Sequence, residues 1–234
     1  MRLPFLTARW SNLFLATYAV PPTMLRPHLP PGLSLDLRDE QAFVSLVAFD
    51  FLDTRVLGIP WPGFRTFAEL NLRFYVRRGD ERGVVFIREF VPQRLVAWIA
   101  RRVYNEPYLA APLKSRVQDT PDRLSIEHRL VWNGQTHIIR AAGRKPPIRP
   151  DDTSTEHFFK EHQWGYNLNR RGELVRYEVV HPVWDVYPLE SYELLFDFGQ
   201  VYGPRWKWLT QATPTSTLLA VGSPVAVYPH GKVG

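Results

Sequence analysis

Cysteine is absent from this chain, which excludes a disulfide framework, a thiolate nucleophile and every cysteine-bearing metal motif. Long apolar runs are missing too: no segment approaches the ~18 uncharged residues that a membrane-spanning helix requires. There is no glycine-rich loop to cradle a phosphate and no Gly-x-Ser-x-Gly elbow to present a serine nucleophile. Seven histidines are present, but none fall at His-x-x-x-His or His-Glu-x-x-His spacing, so neither a metal nor a cofactor is expected. Lysine is scarce. Of the 29 basic residues, 24 are arginine and five are lysine.

What is present describes a globular chain. Hydrophobic content of 45% with 14% aromatics suffices for a sizeable core and argues against disorder. The formal net charge of +6 invites a nucleic-acid reading. The arginines, however, occur as scattered pairs (Arg77-Arg78, Arg101-Arg102, Arg170-Arg171) and not as a run or helical stripe, so no nucleic-acid partner is expected. The opening residues Met1-Arg2-Leu3-Pro4 meet a charge and a proline too early for a secretory signal, and the expected location is the cytoplasm, without a membrane partner. No repeat, low-complexity tract or long linker divides residues 1–234, which are read as one domain.

The clearest local signal is Leu124-Ser125-Ile126-Glu127-His128-Arg129-Leu130-Val131-Trp132, followed by Asn133-Gly134 and a second run. Asn-Gly between alternating runs predicts a type I′ hairpin that pairs Glu127 with Arg140 and turns Leu124, Ile126, His128, Leu130 and Trp132 to the core. A second hairpin is predicted from residues 164–168 and 174–180 around Asn169-Arg170-Arg171-Gly172. Further strands are read at residues 42–51, 67–75, 83–90, 191–196 and 216–228. Helices are predicted at 93–104, with Leu95, Val96, Ile99 and Val103 on one face, and at 153–162, opening on a Thr153-x-x-Glu156 capping box. Strands dominate and most connections are short. The fold class is therefore α+β, mostly β: an antiparallel sheet, curved or closed, with a few flanking helices.

Two stretches concentrate chemistry. In residues 67–75, period two separates Glu69, Asn71 and Arg73 from Leu70, Leu72 and Phe74. The polar row faces either water or the inside of a closed sheet, where a carboxylate and a guanidinium fix a small polar ligand and Glu69 is the candidate general acid or base. The segment Tyr104-Asn105-Glu106-Pro107-Tyr108-Leu109-Ala110-Ala111-Pro112-Leu113-Lys114 crowds two phenols, an amide, an acid and an amine around two prolines. It either terminates a helix or contributes Tyr104, Asn105, Tyr108 and Lys114 to a site.

These stretches, with Phe5-Leu6-Thr7-Ala8-Arg9-Trp10, Leu29-Pro30-Pro31-Gly32-Leu33, Phe51-Leu52-Asp53-Thr54-Arg55 and His181-Pro182-x-Trp184, resemble the YqjF-like family of uncharacterised bacterial proteins, grouped with the acetoacetate decarboxylase-like superfamily. The resemblance runs over nearly the whole chain. It implies a curved antiparallel sheet closing into a barrel-like cone around a pocket, with helices outside. The superfamily's decarboxylase forms a Schiff base on the first lysine of a Pro-Lys-Lys motif, which aligns with Pro112-Leu113-Lys114. Leu113 then holds the nucleophile's position, and on an extended segment Lys114 points to the opposite face. The resemblance further equates that enzyme's pocket glutamate with Glu69 and its early arginine with Arg9.

Three functional readings follow. The first is a small-molecule pocket protein for an organic acid or carbonyl compound, with Glu69 exchanging a proton and Arg9, Arg73 or Lys114 neutralising a carboxylate. The second is a lyase or aldolase-type enzyme acting through an imine on Lys114. The third is a non-catalytic interaction protein, including a homodimer built on exposed strands.

Overall fold

The computed structural model describes residues 3–160 and 162–232, the side chains of Val103, Tyr104, Glu156, His230 and Lys232 apart. The chain opens with β1 (Leu6–Val20), the short helix α1 (Pro22–Leu25) and β2 (Ser34–Leu35). Three long strands follow, β3 (Ala42–Val56), β4 (Phe67–Arg78) and β5 (Glu81–Val91), and then α2 (Arg94–Ile99), which runs into a π-helical turn, Ala100–Tyr104. Next come β6 (Tyr108–Ala110), β7 (Leu113–Asp119), β8 (Arg123–Trp132), β9 (Gln135–Arg144) and α3 (Thr155–Lys160). The last part holds β10 (Trp164–Leu168), β11 (Leu174–Val180), β12 (Val186–Tyr187), β13 (Leu189–Leu195), α4 (Phe198–Tyr202) and β14 (Ser216–Lys232).

The strands form two sheets. The larger has the order β2-β4-β3-β1-β14-β11-β10-β5-β6, and an additional β4–β5 pairing brings its far side back to β4. The sheet therefore curves round on itself and has an inner and an outer face. Most pairings are antiparallel, but β10 and β6 each lie parallel to β5. The smaller sheet, β13-β9-β8-β7, packs against the outer face. There Leu70, Leu72 and Phe74 of β4 join Leu113, Ile126 and Leu130 in one buried cluster. Both sides of β4 are thus covered, which rules out the solvent-facing reading of its polar row.

The hairpin at Asn133-Gly134 has positive φ at both turn residues (48° and 77°), as a type I′ turn requires. Glu127 pairs with Arg140 across it, with Arg140 Nε donating to Glu127 Oε2 at 2.7 Å. The second predicted hairpin is present with Leu168 opposite Leu174. The helix expected over 93–104 is regular only to Ile99, and Asn105 ends the π-helical turn in a left-handed conformation (φ 54°). The third helix starts later than expected, because Ser154 is its cap: Ser154 Oγ accepts from His157 N–H at 3.1 Å, while Thr153 binds Asp151. Strand β1 has no counterpart among the expected elements. From Leu13 it is almost wholly buried on both faces, so its apolar residues do not alternate and the period-two signal vanishes.

A bulge in β1 between Ser11 and Phe14 puts Asn12 at φ 56° and turns its amide to Asp50. Asp50 Oδ2 accepts from Asn12 Nδ2 at 2.8 Å and Ser115 Oγ at 2.9 Å, and His128 Nε2 lies 3.5 Å from Oδ1. This buried carboxylate ties the two sheets together. Burial raises its pKa, but contact with His128, Asn12 and Ser115 outweighs burial and holds it below the usual carboxylate range. Asp50→Ala leaves three inward-facing polar groups without their acceptor. It is expected to destabilise the protein by about 2–4 kcal/mol in guanidinium unfolding; a loss under about 1 kcal/mol contradicts the tie. Among the described residues no helix is long and apolar enough to cross a membrane.

Candidate functional site

The inner face of the curved sheet lines a cavity of about 190 Å³. The antiparallel register of β3 and β4 sets Val47 opposite Asn71 and Phe49 opposite Glu69, so apolar and polar residues alternate between strands on one wall. Trp10, Phe49, Phe51, Phe67 and Trp184 make the aromatic part, with Phe51 and Phe67 stacked at 4.7 Å. Glu69, Asn71 and Arg73 line the same space.

The polar row does not stand alone. Register sets Asn71 opposite Glu89 on β5, and Glu89 opposite Tyr108 on β6. Glu106, immediately before β6, and Tyr177 on β11 complete the group. Glu69, Asn71, Glu89 and Glu106 are 3%, 2%, 2% and 5% exposed. Tyr108 Oη donates to Glu69 Oε2 at 2.7 Å and Asn71 Nδ2 donates to Glu69 Oε1 at 3.0 Å. Both oxygens of Glu69 therefore accept. Tyr177 bonds Glu106. Among the described residues, seven buried atoms of the lining have no hydrogen-bond partner: Asn71 Oδ1, Arg73 Nε, Glu89 Oε1 and Glu106 Oε1 in this group, and Trp10 Nε1, Thr54 Oγ1 and His162 Nδ1 around it. Buried polar atoms are almost always paired, so the concentration of unpartnered ones at one cavity sets this part of the interior apart.

Three buried carboxyl groups beside one cavity cannot all ionise cheaply. Burial raises Glu69 to about 7, against the opposing bonds from Tyr108 and Asn71 and the charge of Arg73. Burial raises Glu106 to about 8, with Tyr177 opposing and Glu69 adding to the rise. Glu89 is pushed well above the usual range by burial and then by its two acidic neighbours. Proton-exchanging groups matched to neutral pH are what general acid–base chemistry needs.

The segment around α3 closes another side. Arg73 Nη2 donates to the Phe159 carbonyl at 3.0 Å, and Arg82 Nη2 donates to that of Phe158 at 3.3 Å. These cations meet the carbonyl end of the helix, where the helix dipole is negative. Arg82 Nε also donates to buried Asp36 at 2.6 Å, and His162 Nε2 lies 3.6 Å from the same carboxylate. Burial lowers the His162 pKa to about 4, despite Asp36. The result is a firm seat for Lys160, which is 1% exposed and lines the cavity together with His162.

The expected residues separate into two groups. Glu69, Asn71, Arg73 and Tyr108 come together at the cavity. Arg9, Asn105 and Lys114 lie outside its lining. Arg9 is exposed on β1, outside the lining. Lys114 is exposed on β7 beside Arg129, while Leu113 packs in the core between the sheets. The Pro112-Leu113-Lys114 segment therefore belongs to the outer sheet. Asn105 is exposed and tied to β10: its Nδ2 donates to Leu168 O at 2.5 Å and its own carbonyl accepts from Asn167 Nδ2 at 2.6 Å. The Tyr104 side chain lies outside the described residues.

Glu89, Glu106, Tyr177 and Lys160 were not foreseen in these roles. A lone glutamate within the apolar run Val84-Val85-Phe86-Ile87-Arg88-Glu89-Phe90 was a usable signal for the first. Lysine scarcity drew attention to Lys114, although it applied equally to Lys160. Among the described residues no group of three or more His, Asp or Glu is placed to hold a metal ion.

Comparison with known proteins bears on this arrangement. A family model described as an uncharacterized conserved protein, DUF2071, matches residues 7–224. The "Uncharacterized protein YqjF" of Bacillus subtilis (strain 168) is 35% identical over 107 residues, which is 45% of this chain and 44% of the relative. The match thus spans less than half of that relative's length. Among solved structures, acetoacetate decarboxylase from Legionella pneumophila superposes with a TM-score of 0.64 at 16% identity, over 99% of this chain and 87% of that one. The enduracididine biosynthesis enzyme MppR gives 0.68 at 13% identity, over 100% and 89%. At these identities the likeness is one of fold.

Proposed function

The chain belongs to the DUF2071 family and has the acetoacetate decarboxylase-like fold, and on that premise we propose that it acts, as a single domain, to bind a small organic acid or carbonyl compound in the cavity around Glu69. The observation that carries this reading is the set of buried, unpartnered polar atoms gathered at an aromatic-walled hollow. In this reading Arg73 engages the ligand's carbonyl or carboxylate oxygen, as a guanidinium engages such groups generally. Glu69, titrating at about 7, gives or takes a proton at a neighbouring ligand atom. The superfamily's Schiff-base lysine has no counterpart at Leu113 on this view.

A panel of ketones and keto acids, including pyruvate, which a solved MppR structure contains, tests the proposal by thermal shift. A stabilising compound is expected, and Glu69→Gln, neutral and of equal size, should weaken it at least about tenfold while the unliganded fold persists. Unchanged affinity in both Glu69→Gln and Arg73→Gln, or no stabilisation by any member of the panel, overturns it.

One observation favours a second, enzymatic reading. The imine expected on Lys114 loses support because that side chain is exposed, whereas Lys160 is buried at the cavity. Its amine nitrogen would add to a ligand carbonyl carbon with loss of water, leaving an imine that borohydride reduces to a stable amine. Mass-spectrometric detection of the reduced adduct on Lys160 supports that version, and its absence with every panel member removes it.

A further inference from the structure

The cavity lining is sorted along its length. Its charged residues are Glu69, Arg73, Glu89, Glu106 and Lys160, all in the group around Glu69 or on its α3 side. Beyond Glu69, toward the β3–β4 connection, the lining continues with no acid, lysine or arginine. Phe67 follows on β4, Phe51, Thr54 and Val56 on β3, and Phe64 in the connection itself. Leu6 of β1 pairs with Val56, and Val96 of α2 packs in one cluster with Phe51 and Phe67. The polar side chains here are Thr54, the Trp10 and Trp184 indoles, and His181, which stacks on Trp184 at 4.2 Å.

This apolar stretch is long. From Phe49, opposite Glu69, to Val56 the strand advances on the order of 20 Å at ~3.3 Å per residue. A three-carbon acid held by Arg73 and Glu69 leaves it unfilled. At the far end apolar surface emerges into solvent. Leu57, Ile59 and Trp61, which follow Val56, are exposed, and so are Leu95 and Trp98 beside Val96 on α2. Large apolar side chains grouped at a surface mark a ligand groove or a contact site.

Resting on the pocket reading above, we propose that the ligand is amphipathic, with its acid or carbonyl head at Arg73 and Glu69 and an unbranched hydrocarbon chain running past Phe49, Phe51 and Phe67 toward Val56 and Phe64. The class is therefore a fatty acid or an oxo derivative of one. A chain is required because a compact ring held at Glu69 does not reach Val56. Burial of that chain against the apolar walls contributes affinity in proportion to its area, however the head is held.

Titration calorimetry with pyruvate, 2-oxobutanoate, 2-oxohexanoate and 2-oxooctanoate tests the inference, because the head is constant and only the chain grows. Affinity should climb about fourfold for each added CH₂, the transfer value for a buried methylene, with one site per protein molecule. At the least, 2-oxooctanoate should bind about tenfold more tightly than pyruvate. Val96→Trp, which narrows the apolar stretch, should cut that ratio at least about fivefold. If the variant does not fold, the slope and the single-site stoichiometry of the natural sequence decide. A ratio under about tenfold, several copies of the longer acid per protein molecule, or an unchanged ratio in folded Val96→Trp overturns the inference. A flat series in which pyruvate or a ketone still binds leaves the pocket reading standing, whereas no binding by any member of the series or of the earlier panel removes both.

Discussion

Raising the pH from about 5.5 to about 8 should destabilise this protein by about 4 kcal/mol and lower its thermal midpoint by about 8–16 °C. The cause is the carboxyl cluster. An unfolded glutamate loses its proton from 4.5 upward, whereas folded Glu69 and Glu106 hold theirs to about 7 and about 8. A carboxyl group whose folded pKa is raised adds stability that is complete below the unfolded value and is lost as pH climbs through the folded one. With 1.36 kcal/mol per unit, the two groups together lose about 5 kcal/mol across this window. His162 acts in the opposite sense. Its pKa is lowered from 6.5 to about 4, so its contribution is present above 6.5 and fades in acid, which offsets about 1 kcal/mol. Asp36 and Asp50, held below the usual range by their partners, lose stability only at lower pH and do not enter. Scanning calorimetry at the two pH values, repeated on Glu106→Gln, measures the effect. The variant should show a flatter dependence, and a midpoint that stays level or rises with pH in the natural sequence contradicts the assignment.

The second large effect is expected from one methyl group. A Cβ added at Gly165 would lie 2.1 Å from Tyr177 Cζ and 2.4 Å from its Oη, far inside van der Waals contact. The two residues are opposite each other in the β10–β11 ladder, and the glycine lets the ring lie flat across the neighbouring strand on its way to Glu106. Gly165→Ala must push that ring aside. Overpacking and the lost Tyr177–Glu106 bond together predict a destabilisation of about 2–4 kcal/mol and loss of any cavity ligand. Urea unfolding with a double-mutant cycle separates the causes. On a Tyr177→Ala background the same methyl group should cost under about 1 kcal/mol. An equal cost on both backgrounds would show that the ring is not what the methyl group meets.

Much of the framework was legible because it is local. The Asn133-Gly134 turn needs positive φ at two adjacent residues, a demand that these two residue types announce directly. The polar row of β4 could be read because strand side chains alternate with a period of two. Legibility failed at β1, where burial on both faces removes alternation, and at Asn105, whose side chain bonds the β10 end from across the chain. The different surroundings of Lys114 and Lys160 were not legible for a related reason. Both are single lysines in a lysine-poor chain, and only the packing of α3 onto the sheet buries one of them.

The amino-acid sequence alone determined the strand-rich class, the two hairpins and the sidedness of Glu69, Asn71 and Arg73, because turn chemistry and backbone periodicity act over a few residues. The tertiary structure decided that this row faces a hollow and not water, and it added Glu89, Glu106 and Tyr177 from other strands. Closure of the sheet through the β4–β5 pairing removes those carboxyl groups from water together, and their raised pKa values come from that shared burial and mutual repulsion, which no single segment carries.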